Sequence, residues 1–591
     1  MYRDLAAETH GDAVPALASQ TLEIGNIRVD GVEGLDAGGR RGDGAHHARE
    51  EDRRARAAGG RDLRRRPAPA RAAFALAAIL VASAIVFALP LGRRPLDNQD
   101  EARYSLLARK AVEGGYWILP RVRGEVYLNK PPLYFWTVAV FALPWGVVTD
   151  ANAPIASVVS ALAGLLAVFA IGRLLWGVSA GLAAALVLAT SPFYFFMAHQ
   201  VLTDMMLTAW MSWALYFYLA ACRAPSPLWP LVGFYLCAAG GLASKGPAAL
   251  MVLVAVVAAS LAADGFRGLK RLKLPLGLAL IALAALPWLL PYLLQRERSY
   301  GRAVVMTDYL GWYFRSAVAS RLAAAAEHLA RSLPWGFFIL PATVWWVRER
   351  DADRRRLLVW AATLIVLLSL SGEQRARYFL PLWPVFALLV ADFFVGAAER
   401  ARGLVTGAAV VYLILMMGVG AGVLWGTASG PDAVFLPVAS WERYVVAGAL
   451  VAGSALALLS LRVDHSGLAA SAWIAMGLGV ALAVTAYGYP PRFAKDHDYP
   501  GIARRIAPLL DPAQPLLAYP DANLAWDFYL RSPVSEVKSE GDAMALLTAP
   551  PKARLLIRAE DWQRLKPQAA AGWKVLDEGQ VGRRRFLLLG S

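Results

Sequence analysis

RRRPAPARAAFALAAILVASAIVFALPL, residues 64–91, sets a block of arginines against an uninterrupted apolar run that begins at Ala72 and is long enough to cross a bilayer. Residues 53–71 hold eight arginines against one acid, Asp62. Cationic flanks stay on the cytoplasmic side, so this boundary places the N-terminus inside. Residues 1–71 mix Gly, Ala, Arg and acids without sustained periodicity, and read as a disordered basic cytoplasmic N-terminus that leaves room for a start codon further downstream. The apolar run begins too late and runs too long for a cleaved signal peptide.

The rest of the chain repeats this pattern. Of the 591 residues, 58% are hydrophobic and 18% charged; with the 50 glycines the apolar share approaches two-thirds, against roughly 45–50% in soluble domains. A polytopic membrane protein is the class left standing. Two cysteines, Cys222 and Cys237, both inside apolar runs, exclude a disulfide framework and a cysteine zinc site. The formal net charge of +16 sits in short blocks between apolar segments, which reports topology and offers no nucleic-acid-binding face.

After 72–91, apolar segments recur at 131–148, 153–173, 178–198, 205–222, 228–243, 247–263, 274–294, 333–347, 357–370, 378–396, 403–425, 443–461 and 467–487, fourteen candidates in all. If all crossed, the basic turns at Arg267 to Lys273, Arg348 to Arg356 and Arg400 to Arg402 would lie outside. The segment 131–148 opens with Pro131 and Pro132 and carries Tyr134, Trp136 and Trp145, as an interfacial helix does. Laid in the outer interface, it returns every basic turn to the inside. The expectation is therefore an all-α polytopic protein of about 13 transmembrane helices over 72–488, with external loops at 92–152 and 295–332. From 489 to 591, strand-like runs at 515–519, 553–557 and 585–589 alternate with polar helices at 502–510 and 541–547, predicting a small external α/β domain.

Ionisable side chains inside a bilayer cost at least about 2.5 to 3.5 kcal/mol each, and the spans are nearly free of them. They collect instead at the outer ends: Asp100, Glu101 and Arg103 in the first loop, then Lys130, Asp204, Lys245, Arg375 and Arg377. Asp100 and Glu101 open an amphipathic helix that Gly114 and Gly115 end, and both acids suit a capped first turn, as Asp204 does after Thr203. The cations admit a reading as snorkelling anchors. Yet basic residues at outer span ends run against the topological bias obeyed elsewhere, which calls for an anion to hold them. In SKGP, residues 244–247, Lys245 stands as an exposed helix-end residue beside a helix start at Pro247, the form of a phosphate site. Carboxylates able to take a proton, next to cations able to hold a phosphate at a membrane surface, suggest group transfer from a lipid phosphate.

The run NQDEARYSLLARKAVEGGYWILPRVRGEVYLNKPPLYFW, residues 98–136, followed in order by LTDMML (202–207), SKGP and RARYFLPLWP (375–384), resembles the GT-C glycosyltransferases related to the lipid A aminoarabinose transferases and, more distantly, the protein mannosyltransferases. The resemblance covers about 72–400. It implies the GT-C fold and inverting transfer of a sugar from a polyprenyl-phosphate donor to an envelope lipid, glycan or protein acceptor, on the periplasmic face of the inner membrane. Asp100 matches the family's catalytic acidic position, with Glu101 beside it, and Asp204 its second acidic position. Lys130, Lys245, Arg375 or Arg377, and Tyr378, with Tyr127, match the donor-phosphate site. Asn129 stands where aminoarabinose transferases tend to carry Glu, which weakens that assignment of sugar and any metal ligand there. No cofactor is required by this chemistry, and His199 and His328 give no metal-ligand spacing. The rival from another class is a secondary transporter or lipid flippase, which would carry paired repeats and polar groups at mid-bilayer. A structural protein with an external domain leaves the outer cations unexplained.

Overall fold

The computed structural model describes residues 69–294, 325–349, 351–371, 375–425, 440–463, 465–511, 514–520 and 522–590. The expected disordered N-terminus falls outside them up to residue 68, and the second expected loop from 295 to 324. The membrane part runs α1 Pro69–Ala88, α2 Gln99–Gly114, the hairpin β1 Arg121–Val122 and β2 Glu125–Val126, α3 Leu133–Ala142, α4 Ile155–Trp176, α5 Val178–Ala189, α6 Pro192–Ala198, α7 Thr203–Arg223, α8 Leu228–Lys245, α9 Met251–Arg271, α10 Leu274–Leu293, α11 Ile339–Glu349, α12 Ala352–Ser369, α13 Trp383–Arg400, α14 Arg402–Trp425, α15 Ser440–Val463 and α16 Gly467–Asp496.

A helix stands at each of the thirteen expected spans, but the count of those long and apolar enough to cross a membrane is lower. Among the described residues there are nine, or ten if α5 and α6, bent by 69° at their junction, form one span. The shortfall lies in α8, α11 and α12. Eleven residues make α11 only about 16 Å long. Polarity lowers the other two: α12 opens with Arg354, Arg355 and Arg356, and α8 carries Pro230 and Lys245.

Ion pairs sort the helix ends into two sets. At one end, Arg223, the last residue of α7, pairs with Asp353 of α12 at 2.5 Å, Arg356 with Asp264 of α9 at 2.7 Å, and Arg400 of α13 with Glu349 of α11 at 2.8 Å, while Arg271 donates to the Ala224 carbonyl at 2.6 Å. These are the basic turns expected to share one side. At the other end, Asp100, Asp204, Lys245 and Arg377 meet. Segment 131–148 holds the ten-residue helix α3; Arg109 of α2 donates to the Val148 carbonyl at 3.3 Å, and Trp136 donates to the carbonyl of Trp117, just beyond the end of α2, at 2.6 Å.

The helix α16 continues through Pro490 and Pro491 to Asp496, past the boundary expected at 489. Pro491 has no N–H for the carbonyl four residues back. Arg93 fills that place, donating to the Tyr487 carbonyl at 2.9 Å. Beyond it lie α17 Tyr499–Ile506, β3 Leu516–Tyr519, α18 Leu524–Leu530, β4 Val534–Glu536, α19 Glu540–Thr548, β5 Arg554–Arg558, α20 Ala559–Leu565, β6 Lys574–Val581 and β7 Arg584–Gly590. The sheet order is β4-β3-β5-β7-β6, parallel across the first three and antiparallel from β5 onward. The three expected strands are β3, β5 and β7; the edge strands β4 and β6 and the helix α18 complete the α/β domain.

Candidate active site

The helix α2 is started by Asn98, whose side chain accepts the Asp100 N–H at 2.9 Å, and is closed by Gly115 in the left-handed region at φ +68°. Asp100 is therefore not the cap, as one reading of the sequence had it, and its carboxylate is free of that duty. It takes Arg103 one turn along, Arg377 at 2.6 Å and Arg375 at 3.5 Å. Burial alone would raise its pKa, but Arg377 and Arg103 outweigh burial and hold the carboxyl below the usual carboxylate range.

Asp204, in the first turn of α7 and 3% exposed, receives Lys245 at 2.5 Å and has Arg377 Nε at 3.8 Å. Lys245 ends α8, where Gly246 at φ +85° turns the chain so that Pro247 starts the next turn. Its ammonium lies 4.3 Å from the centre of the Tyr378 ring. Lys245 is thus not the exposed helix-end residue that the sequence suggested, because the apposition of Asp204 draws it inward. Arg375, Arg377 and Tyr378 lie at the start of the 3-10 segment Ala376–Leu382 that leads into α13. Arg377 Nε is buried and makes no hydrogen bond. Tyr127 joins through Arg103, whose guanidinium lies 5.9 Å from its ring. Lys130 is half-buried on the link from β2 to α3.

Glu101 points elsewhere. It is 1% exposed, pairs with Arg94 and accepts the Val201 N–H at 2.9 Å. Burial works against the Arg94 charge, but Glu101, Tyr489 and Asp97 together more than offset it and keep the guanidinium protonated. This pair ties α2 to the residues just before α7, so the neighbour of Asp100 sets the distance between Asp100 and Asp204. Arg94 was missed from sequence, although its position inside the first loop follows the same against-the-bias signal as Lys245. Arg331 was missed too: with Arg94, Arg375 and Arg377 it lines a cavity of about 400 Å³ whose apolar wall includes Phe193 and Phe196. His199 is buried, with Nδ1 3.1 Å from the Phe195 carbonyl, and burial pulls its pKa down to about 3. His328 packs on Phe379.

Chemically, the cluster is two carboxylates among four cations at one end of the bundle, beside a cavity that is cationic on one side and apolar on the other. The family model described as dolichyl-phosphate-mannose-protein mannosyltransferase matches residues 129–290. An undecaprenyl phosphate-alpha-4-amino-4-deoxy-L-arabinose arabinosyl transferase of Pectobacterium carotovorum is 27% identical over 55% of this chain and 60% of its own length. A protein of the same description from Edwardsiella ictaluri is 25% identical over 83% of this chain and 90% of its own. The first-named relatives are thus matched over about three-fifths of their length. The crystal structure of ArnT from Cupriavidus metallidurans bound to undecaprenyl phosphate superposes with a TM-score of 0.72 at 20% identity, covering 87% of this chain and 97% of that one. The chain is related to the aminoarabinose transferases, and its fold is the GT-C fold of ArnT.

Proposed function

We propose that this protein is an inverting glycosyltransferase that moves a sugar from a polyprenyl-phosphate donor to an envelope acceptor such as lipid A, another glycolipid, a glycan or a protein. The observation that carries the reading is the meeting of Asp100, Asp204, Lys245 and Arg377, from four separate segments, at one end of a membrane bundle. The relatives' names and the undecaprenyl phosphate bound to ArnT agree with a polyprenyl donor. The same reading puts the cluster, the first loop 92–152, the 295–332 segment and the C-terminal domain on the periplasmic side, with the basic turns cytoplasmic. Reporter fusions at Asp150 and Leu269 check it: an external signal at the first and a cytoplasmic one at the second are expected, and equal signals overturn it.

In the mechanism, the acceptor oxygen bonds to the anomeric carbon as its proton passes to the Asp100 carboxylate. The bond from that carbon to the phosphate oxygen breaks on the opposite face, and polyprenyl phosphate leaves with one more negative charge. Arg377, Lys245 and Arg375, with Lys130, Tyr127 and Tyr378 around them, stabilise that charge, and the unfilled Arg377 Nε is a donor placed for it. Asp204 holds Lys245 in position. Without donor, Asp100 and Asp204 occupy the cations that a phosphate would take. Donor binding therefore draws Arg377 toward phosphate and returns basicity to Asp100, which arms the base only when donor is present.

Reconstituted protein with a polyprenyl-phosphate sugar should transfer sugar, and Asp100→Asn should lower transfer by about 100-fold or more with thermal stability nearly unchanged. Near-normal transfer by Asp100→Asn removes Asp100 from the chemistry. Substrate translocation without sugar transfer identifies a transporter instead.

A further inference from the structure

Residues 93–98, RRPLDN, lead from the end of α1 into the helix that carries Asp100 and form neither helix nor strand. Pro95 has no N–H, and the buried backbone groups beside it need partners from elsewhere. The C-terminal domain supplies two. The N–H of Leu96, a fully buried residue, donates to the Tyr529 hydroxyl at 2.7 Å, and the Asn523 side-chain amide donates to the Asp97 carbonyl at 3.2 Å. The Tyr529 hydroxyl in turn donates to the Asp150 carboxylate at 3.2 Å, so one oxygen fastens the start of the first loop to its end. Both side chains come from α18: Asn523 caps it by accepting the Ala525 N–H at 2.9 Å, and Tyr529 stands in its last turn. Farther along α2, Arg109 donates to the Phe528 carbonyl at 2.9 Å, with its guanidinium 4.1 Å from the centre of the Phe528 ring.

The helix α18 thus holds α2 at two points, one just before Asp100 and one at Arg109, about 14 Å farther on by helical rise. Two anchors resist rotation of a helix about its axis as well as its translation. Rotation matters here, because successive residues of α2 point about 100° apart, so only one setting presents Asp100 to Arg377 and Glu101 to Arg94. A contact that merely docked the domain could stop at side-chain tips, as the exposed Arg531 and Glu113 pair does at 2.6 Å. Tyr529 and Asn523 instead hold the backbone that enters the helix. We infer that the C-terminal domain is part of the catalytic apparatus, with Tyr529 and Asn523 as positioning residues that set Asp100 against Arg377 through residues 96–98. The inference rests on the reading of Asp100 as the base for the word catalytic, and on the hydrogen bonds alone for the positioning.

The test uses the full chain in nanodiscs. Tyr529→Phe removes one hydroxyl, and Asn523→Ser keeps a cap for α18 while withdrawing the amide, so both should fold, and a melt checks it. With a polyprenyl-phosphate sugar as donor and sugar release to lipid A or water as readout, each should lower kcat about tenfold at unchanged donor KM, as a small displacement of the base implies. The acid limb of kcat/KM should move to higher pH, because Asp100 drawn off Arg377 loses part of the positive charge that holds its pKa down. The other groups that face it, Arg103 and Tyr104 on α2, Arg375 beside Arg377 and Lys245 at the end of α8, are left in place by both variants. Glu113→Gln breaks the exposed pair at the same interface and should change neither kcat nor the limb. Unmoved kcat and acid limb in Tyr529→Phe and Asn523→Ser, whatever their melting temperatures, make α18 an architectural contact and overturn the inference, as does a raised donor KM at unchanged kcat. Hydrogen exchange reads the coupling without substrate: amides of residues 96–103 should exchange faster in both variants, and a change confined to the C-terminal domain overturns it. If the unsubstituted protein releases no sugar, the glycosyltransferase reading falls, and exchange alone decides whether the C-terminal domain sets α2.

Discussion

The two ends of the helix bundle handle charge differently. At the end of the basic turns, four guanidiniums meet four carboxylates: Arg223 and Arg356 with Asp353 and Asp264, Arg354 with Asp392 at 2.8 Å, and Arg400 with Glu349. Trp346 adds an indole N–H to Asp392 at 2.8 Å. At the other end, among the described residues, Arg103, Arg377 and Lys245 crowd on Asp100 and Asp204, with Arg375 3.5 Å from Asp100. A balanced set near the bilayer holds helices together and asks for nothing more, whereas an unbalanced one carries desolvated positive charge that an anion relieves. The difference separates architecture from chemistry more clearly than burial does, since Asp392 and Asp204 are both nearly inaccessible.

The contrast is broken most severely at the balanced end. Arg354→Ala strands the 1%-exposed Asp392 and should cost about 3–5 kcal/mol of stability, read as a lowered melting temperature, with donor KM of the surviving protein unchanged. Replacing both partners, Arg354→Met with Asp392→Leu, should recover most of that loss, because no lone charge remains. Failure of the double replacement to recover stability would mean that the pair does more than balance charge.

At the unbalanced end the ordering reverses. Arg377→Ala should leave stability nearly intact, because Asp100 keeps Arg103 and Asp204 keeps Lys245. It should lower kcat/KM for the donor about 10- to 100-fold, as loss of a charge-assisted contact worth roughly 1.5–3 kcal/mol implies. A stability loss without a donor effect would make this end architectural as well.

The pH dependence sharpens the same point. Asp100 must be ionised to act, and in the free protein Arg377 and Arg103 hold its pKa below the usual carboxylate range despite burial. Activity is therefore retained above that depressed pKa and lost as pH falls through it. The acid limb of kcat/KM, which reports the free protein, should lie below the acid limb of kcat, which reports the donor complex in which phosphate competes for Arg377. Coincident limbs in the two profiles argue against that exchange. The smallest effect belongs to the exposed pair at the balanced end: Arg400→Ala should change stability by less than about 1 kcal/mol in a thermal melt.

Membrane class and the α/β character of the C-terminus were legible in the sequence because each rests on local composition. A bilayer reads twenty residues at a time, and a basic turn announces its side without help from the rest of the chain. Boundaries were less legible. The C-terminal domain was expected from 489, where the character of the sequence changes, but α16 runs on through Pro490 and Pro491 to Asp496, and Arg93, some four hundred residues away, donates to the Tyr487 carbonyl that Pro491 leaves open. Helices α8, α11 and α12 were likewise counted as spans on hydropathy that the proline and lysine of α8, the length of α11 and the arginines of α12 do not sustain.

The candidate residues Asp100, Asp204, Lys245 and Arg377 could be picked out singly, since each is an ion where the membrane rule disfavours one. Their roles could not. Asp100 and Glu101 are adjacent and chemically alike, yet helix geometry turns them about 100° apart, so one faces Arg377 and the other is shut in with Arg94. Lys245 looked solvent-exposed until Asp204, 41 residues earlier, came to lie against it. Sequence by itself determined which residues are costly in a membrane, because that cost belongs to the residue and its window. Tertiary structure alone decided which of them share a charge, because Coulomb energy depends on distances that only the folded helices define.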